Sequence, residues 1–395
     1  MIKREIYLER IRPFYEQNTL IKIIYGLRRS GKSVILEQIQ EEIKAKNENK
    51  IYINFESLEY DYIKTAKDLD KYIKSITNKN EQYYIFLDEV GMIADFEKGI
   101  NSLRIEKNYS IFITGSNSKM LFSELSTVLS GRYVSFEVKS LSFKEVIEHT
   151  KSADYKKLLL DILEYGTLPE RFSFTNQKAI TNYLEDVYNS IILKDIISDL
   201  KIRDLNSFNK ILQYLLETEG KEFSPTNILN YLKSNNQEMS KETLYNYTEA
   251  LVRTFILNKV PKYDITGKRV LTNLPKYYVS DIGLKKIKTT NKKVNYSNNL
   301  ESLVYNELRI KGYEVYIGKT TKGEVDFIAI KDNTPIYIQV TYMLAEQSAI
   351  DREFGAFDTI KDNYPKYVIS MDELDMSQNG IKHLNIVDFL MRNEL

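Results

Sequence analysis

The sequence predicts an α/β protein built on a parallel sheet with helices on both faces, followed by a helical region and a smaller α/β region. Three observations carry this reading. Strand and helix patterns alternate from about residue 20 to about residue 140, as a helix-covered parallel sheet requires. The runs Ile21-Lys22-Ile23-Ile24-Tyr25 and Tyr83-Tyr84-Ile85-Phe86-Leu87 lack the apolar–polar alternation of a half-solvated strand. Between the first run and the helix-like Val34-Ile35-Leu36-Glu37-Gln38-Ile39 stands G-L-R-R-S-G-K-S, residues 26–33.

Taken in order, residues 1–19 read as helical, with Ile6, Leu8, Ile11 and Phe14 available to pack on the sheet. Position alone puts Arg4 near a bound nucleotide. The pattern G-x-x-x-x-G-K-[ST] between a strand and a helix is a phosphate cradle. Gly26, Leu27, Arg28, Arg29, Ser30, Gly31, Lys32, Ser33 and Val34 are the expected nucleotide contacts. Lys32 reaches the β and γ oxygens, Ser33 offers its hydroxyl to Mg²⁺, and the helix N-terminus adds its positive dipole.

Ile51–Phe55 is the expected second strand and Lys64–Thr77 a polar-faced helix. The strand at 83–87 ends in Asp88 and Glu89, where ligands gather in open α/β sheets. Asp88 is expected to hold Mg²⁺ through water, and Glu89 to orient and deprotonate the attacking water. Binding alone would not require Glu89, so the pair points to hydrolysis. The next strand, Ser110–Thr114, leads into Gly115-Ser116-Asn117-Ser118. Asn117 is expected between the acid pair and the γ-phosphate, with Ser116 as the alternative. Arg132 closes Leu129-Ser130-Gly131-Arg132 before the strand-like Tyr133–Val138. It suits either a neighbouring subunit's γ-phosphate, whose transition-state charge it would stabilise, or a structural role on a turn.

Together these features resemble the AAA-type P-loop ATPases. More narrowly, they resemble prokaryotic ATPases that join such a domain to a C-terminal domain of unknown function. The matching pieces are the phosphate loop, N-F-E at 54–56, F-L-D-E at 86–89, T-G-S-N-S at 114–118, L-S-G-R at 129–132 and L-S-F-K-E at 141–145. Y-G-T-L-P-E at 165–170 and Y-V-S-D-I-G-L at 278–284 extend the resemblance over nearly the whole chain. Thr167 departs from it, because relatives often place a second glycine there. The resemblance implies an ATPase core over residues 1–140, using ATP and Mg²⁺.

Residues 141–204 read as a helical lid broken at Gly166 and Pro169, with Leu184, Val187, Ile191, Ile192 and Ile196 at helical spacing. Arg171, Lys194, Asp195 and Arg203 there are either nucleotide sensors or solvated helix-face charges. Residues 205–290 resemble a winged helix. Its third helix, capped by Ser240, would expose Lys241, Glu242, Tyr245, Asn246 and Glu249, and its wing would offer Lys262, Lys268, Arg269 and Lys276. That mixture leaves DNA contact and a protein–protein module both open.

In residues 291–395 a helix carrying Glu301 precedes strands carrying Asp326 and Gln339. This resembles the PD-(D/E)XK nuclease-like fold, in which two carboxylates hold Mg²⁺ and a lysine activates water. Glu301 and Asp326 fit the metal positions, but Gln339 is neutral and Thr341 stands where the lysine belongs. Lys319 or Lys322 would have to reach in from the hairpin. The expectation is a vestigial metal site with cleavage lost.

Composition narrows the functional classes. The 395 residues contain no cysteine, which removes disulfides, thiolate metal sites and cysteine nucleophiles. Two histidines, His149 and His383, cannot build a multi-histidine metal centre and are expected at the surface. No apolar stretch approaches membrane-spanning length and the start has no signal-peptide core, so a cytoplasmic protein without membrane contact is expected. Lys plus Arg is 56 against 55 for Asp plus Glu, which lacks the positive excess of a chain devoted to nucleic acid. The leading expectation is an ATP-hydrolysing switch that repositions the later domains, with a second copy of the chain as a candidate partner. An ATP-regulated endonuclease and a non-hydrolysing adaptor are the alternatives.

Overall fold

The computed structural model describes residues 2–116, 129, 131–199, 202, 204–289 and 294–395. The chain forms two compact units, Met1–Val138 with Arg253–Phe255, and Lys139–Val252 with Ile256–Leu395. The four expected segments thus occupy two bodies, and the junctions expected after 204 and 290 fall inside the second.

The first unit runs α1 (Glu5–Ile11), β1 (Ile21–Tyr25), α2 (Lys32–Glu42), β2 (Lys50–Asn54), α3 (Ala66–Ile76) and β3 (Tyr83–Asp88). It continues through α4 (Phe96–Ile105), β4 (Tyr109–Gly115) and β5 (Tyr133–Glu137). All five strands are parallel, in the order β2-β3-β4-β1-β5. Side chains alternate between two cores. Ile21, Ile23, Ile85, Leu87 and Ile113 pack with Leu69, Ile73, Ile100 and Leu103 of α3 and α4. Ile24, Tyr84, Phe86 and Phe112 pack with Leu8, Ile11, Ile35 and Ile39 of α1 and α2. Cover on both faces is why these strands read as unbroken apolar runs. A capping box between Thr65 and Asp68 starts α3, which buries only Leu69 and Ile73 and keeps the expected polar face.

Lys22 is a charge inside this sheet. It is fully buried, donates to Ser110 Oγ at 2.8 Å and to the Gln17 carbonyl at 2.9 Å, and lies over the Phe112 ring at 4.5 Å. Burial pushes its pKa down to about 7.

The second unit begins with α5 (Phe143–Thr150), α6 (Tyr155–Tyr165) and α7 (Gln177–Ser190), followed by a π-helical segment, Ile191–Asp199. The helical spacing expected from Leu184 to Ile196 therefore widens after Ser190. Ile191 and Ile196 stay buried while Leu193 is exposed, since residues five apart align on a π-helix. Then come α8 (Leu205–Glu217), α9 (Pro225–Ser234), α10 (Lys241–Arg253), β6 (Leu257–Asp264) and β7 (Arg269–Val279). Next are α11 (Ile282–Lys288), α12 (Tyr296–Ile310), β8 (Glu314–Lys319), β9 (Glu324–Lys331) and β10 (Thr334–Val340). The chain ends through α13 (Gln347–Gly355), β11 (Lys366–Ser370), β12 (Lys382–Asn385) and α14 (Ile386–Met391).

The strands form one sheet in the order β12-β11-β10-β9-β8-β6-β7. The hairpin expected as a wing is its edge: Lys262, Tyr263 and Asp264 pair in parallel with Ile317, Gly318 and Lys319. Backbone hydrogen bonding between β6 and β8 runs across the boundary expected near 290.

Three of the sequence motifs meet inside this unit. Asp281, buried at the start of α11, accepts from the backbone N–H of Thr167 at 2.8 Å and of Gly283 at 2.9 Å. Gly166 has φ +72 and comes so close that a Cβ there would lie 1.9 Å from Asp281 Oδ1. The Thr167 carbonyl accepts from Leu141 N–H at 3.0 Å, and Phe143 N–H donates to the buried Glu307 at 2.6 Å. Arg171, expected either as a sensor or as a solvated charge, is instead 2 % exposed. It donates to the Gly166 carbonyl at 2.7 Å and to Asp161 at 2.8 Å. The other half of the surface expectation fails at His383, which is 6 % exposed and bonded to Ser370 Oγ at 2.9 Å, whereas His149 is exposed.

Candidate functional site

The phosphate loop joins the C-terminal end of β1 to α2. Gly26 (φ +143) passes so close to β5's end that a Cβ would lie 2.2 Å from the Val138 carbonyl oxygen. Gly31, also left-handed at φ +98, is the N-cap of α2. That cap makes no side-chain hydrogen bond and the first turn carries no acid, so neither neutralises the positive helix end. Lys32 is buried and its ammonium donates to the carbonyls of Gly26 at 3.2 Å and Leu27 at 3.1 Å. Such a donor set, amides and an ammonium, fits a phosphate.

Arg4 supports the loop from behind. It is 1 % exposed and donates from Nη1 to the Ser30 carbonyl at 2.7 Å, while its own N–H donates to Gln38 Oε1 at 3.0 Å. Its role is therefore with the loop backbone.

The strand order brings the acids to the same place. β4 lies between β1 and β3, so its C-terminal end is delivered between the phosphate loop and Asp88–Glu89. Thr114 donates to Asp88 Oδ1 and accepts from the Glu89 N–H at 2.9 Å. Tyr52 of β2 donates to Asp88 Oδ2 at 3.0 Å, and burial, then the Asp88 charge, pushes the phenol's pKa up. Glu89 has φ +53, and its Oε2 accepts from Ser116 Oγ at 3.2 Å. Ser116 is thus the β4-end side chain found against the acid pair; Asn117 lies outside the described residues, as does Arg203. On α2, Ser33 and Glu37 are four residues apart and share a face. Burial, then the charge of Asp88, raises the Glu37 pKa.

Comparison with known proteins agrees with this geometry. Residues 18–147 match a family model described as an AAA domain, and residues 156–294 match one described as a domain of unknown function. An uncharacterized protein of Haemophilus influenzae is 35% identical over 402 residues, covering 99% of each chain. An uncharacterized protein of Methanocaldococcus jannaschii is 30% identical over 362 residues, covering 87% of this chain and 79% of its own. The chain belongs to their family, an AAA-type P-loop family. A solved Walker-type ATPase of Pyrococcus abyssi shares the fold, with a TM-score of 0.51 at 15% identity, over 73% of this chain and 95% of its own.

In this AAA-type protein Arg132 sits where β5 begins, and its carbonyl accepts from Ile21 N–H at 3.0 Å. That is the end of β1 opposite the phosphate loop. Within one copy Arg132 is therefore not a partner of Lys32 or Ser33.

The residues expected to form a second metal site come together in the second unit of the AAA-type chain. The backbone N–H of Asp326 donates to Gln339 Oε1 at 3.1 Å, and Asp326 Oδ2 accepts from Val340 N–H at 2.8 Å. Glu301 accepts from the fully buried Tyr278 hydroxyl. Burial, then the charge of Glu301, pushes the Asp326 pKa well above the usual carboxylate range. Lys319 and Lys322 are exposed and stay in solvent. Lys262 and Lys276, expected on a basic wing, are 6 % and 7 % exposed. Lys262 is paired with Glu222 and Glu324, and Lys276 reaches Glu324 Oε2 at 3.0 Å. Only Lys268 and Arg269 of that set are exposed. Among the described residues no group of three or more His, Cys, Asp or Glu side chains is placed to hold a metal ion. No helix among them is long and apolar enough to cross a membrane.

Sequence reasoning missed Thr114, Tyr52 and Lys276. The signal for Lys276 was present in β7, where period two puts it on the face of the buried Tyr278.

Proposed function

We propose that the chain is a Mg²⁺-dependent, ATP-hydrolysing switch in which turnover in the first unit changes the state of the second. The carrying observation is the hydrogen-bonded series from Tyr52 through Asp88 and Thr114 to Glu89 and Ser116, at the strand ends beside the phosphate loop. Mg²⁺, when bound, neutralises charge on the β and γ phosphates. Lys32 and the amides opening α2 bind the phosphates, with Ser33 and Asp88 as the metal-side oxygens. Thr114 and Tyr52 fix the Asp88 carboxylate, and Ser116 aims Glu89 so that it orients water and accepts its proton. Arg132, remote from its own phosphate loop, is available to a second copy's nucleotide.

Phosphate release is the test. Glu89→Gln should lower turnover by at least about 100-fold while ATP binding persists. Binding without release in the wild-type protein would favour the non-hydrolysing adaptor. The endonuclease reading has less support, because Thr341 brings no ammonium and Gln339 is spent on the Asp326 backbone. Contact with DNA would fall to the exposed Lys268 and Arg269 and to α10, whose exposed Lys241, Glu242, Tyr245, Asn246 and Glu249 include two acids. A salt-dependent gel shift of duplex DNA should disappear when Lys268 and Arg269 are both changed to alanine. A shift that persists would remove the tip from the account.

A further inference from the structure

The start of α1 is held from α2. Arg4 is the N-cap of α1 and makes no side-chain capping hydrogen bond. Gln38, 7 % exposed on α2, grips this segment with both ends of its amide. Its Oε1 accepts from the Arg4 N–H at 3.0 Å, and its Nε2 donates to the Ile2 carbonyl at 2.7 Å. A carboxamide accepts at one end and donates at the other without carrying charge, so it suits two backbone groups of opposite kind. Residues 2–4 are thereby tied to the helix that the phosphate loop opens.

From this segment the Arg4 guanidinium reaches the Ser30 carbonyl at 2.7 Å. The Ser30–Gly31 peptide is planar and trans, so its C=O and N–H point in opposite directions. A carbonyl drawn toward Arg4 turns the Gly31 N–H to the other face of the loop. Because Gly31 lacks a Cβ, that peptide could otherwise turn at little cost. We propose that Gln38 is a positioning residue of the nucleotide site. It sets Arg4, Arg4 sets the Ser30–Gly31 peptide, and that peptide presents an amide to a phosphate group. The inference rests on the reading of the loop as a triphosphate site. It adds that affinity for the triphosphate depends on a side chain acting from behind the loop.

The test is calorimetric titration of full-length protein with ATP and with inorganic triphosphate, each with Mg²⁺, with melting temperature as the check on folding. Gln38→Leu should weaken both ligands by about tenfold or more. In an Arg4→Ala background the same change should cost almost nothing further, because both side chains act along one path. Gln38→Glu keeps an acceptor for the Arg4 N–H but loses the donor to Ile2, and it should weaken both ligands as well. It replaces Gln38→Leu if that variant does not fold. Folded Gln38 variants that bind as wild type does would overturn the inference. So would losses that add in full to those of Arg4→Ala, or a loss confined to ATP. A wild-type protein that binds neither ligand would remove the inference together with the triphosphate reading. Variants that match a binding wild type would remove the inference alone.

Discussion

At the residue scale, the phosphate loop and the acid pair were legible because each needs particular residue types at fixed spacing. Lys32, Ser33, Asp88 and Glu89 could be named as candidates from spacing alone. Their support could not, since Arg4 is 26 residues from the Ser30 carbonyl that it holds. Thr114 and Tyr52 reach Asp88 from neighbouring strands in space. Arg4 carries a prediction. A fully buried guanidinium bonded to the loop's carbonyl fixes the loop that must fold around phosphate. Arg4→Ala should therefore weaken ATP binding by about 1.5–3 kcal/mol in a calorimetric titration, with Arg4→Lys recovering part of the loss. Unchanged affinity in a folded Arg4→Ala protein would make the contact merely structural.

At the element scale, the sheet of the first unit was readable from unbroken apolar runs, and the helices from their caps and spacing. What escaped was pairing between distant strands. Nothing local to Leu257–Asp264 says that it lies beside β8, because backbone pairing leaves no mark on residue types. Buried lysines escaped for a related reason: nothing local to Lys22, Lys262 or Lys276 says that neighbouring elements cover it. Within β1, Lys22 makes stability depend on pH. Its folded pKa of about 7 lies below the unfolded value of about 10.4, so between those limits the unfolded chain holds a proton that the folded chain lacks. Stability from this group rises with pH across that window and is lowest below about 7. Lys22→Met should melt higher than wild type near pH 7, by about 2–4 kcal/mol, with the gap closing toward pH 10. A constant gap from pH 7 to pH 10 would contradict the buried neutral lysine.

At the scale of the whole molecule, the chain has one body that carries the phosphate-loop motif and one whose motifs serve its own packing. The sequences around 141–145, 165–170 and 278–284 look functional as strings. In the fold, Asp281 ties Gly166–Thr167 to α11, and Thr167 ties back to Leu141. That explains those residues without a ligand. A switch joining such bodies needs nucleotide binding before anything else, so binding is the most direct test. Calorimetric titration of full-length protein with ATP and Mg²⁺ should show saturable binding, in the micromolar range common to nucleotide enzymes, that Lys32→Ala abolishes. No binding by the wild-type protein, or equal binding by Lys32→Ala, would contradict the account.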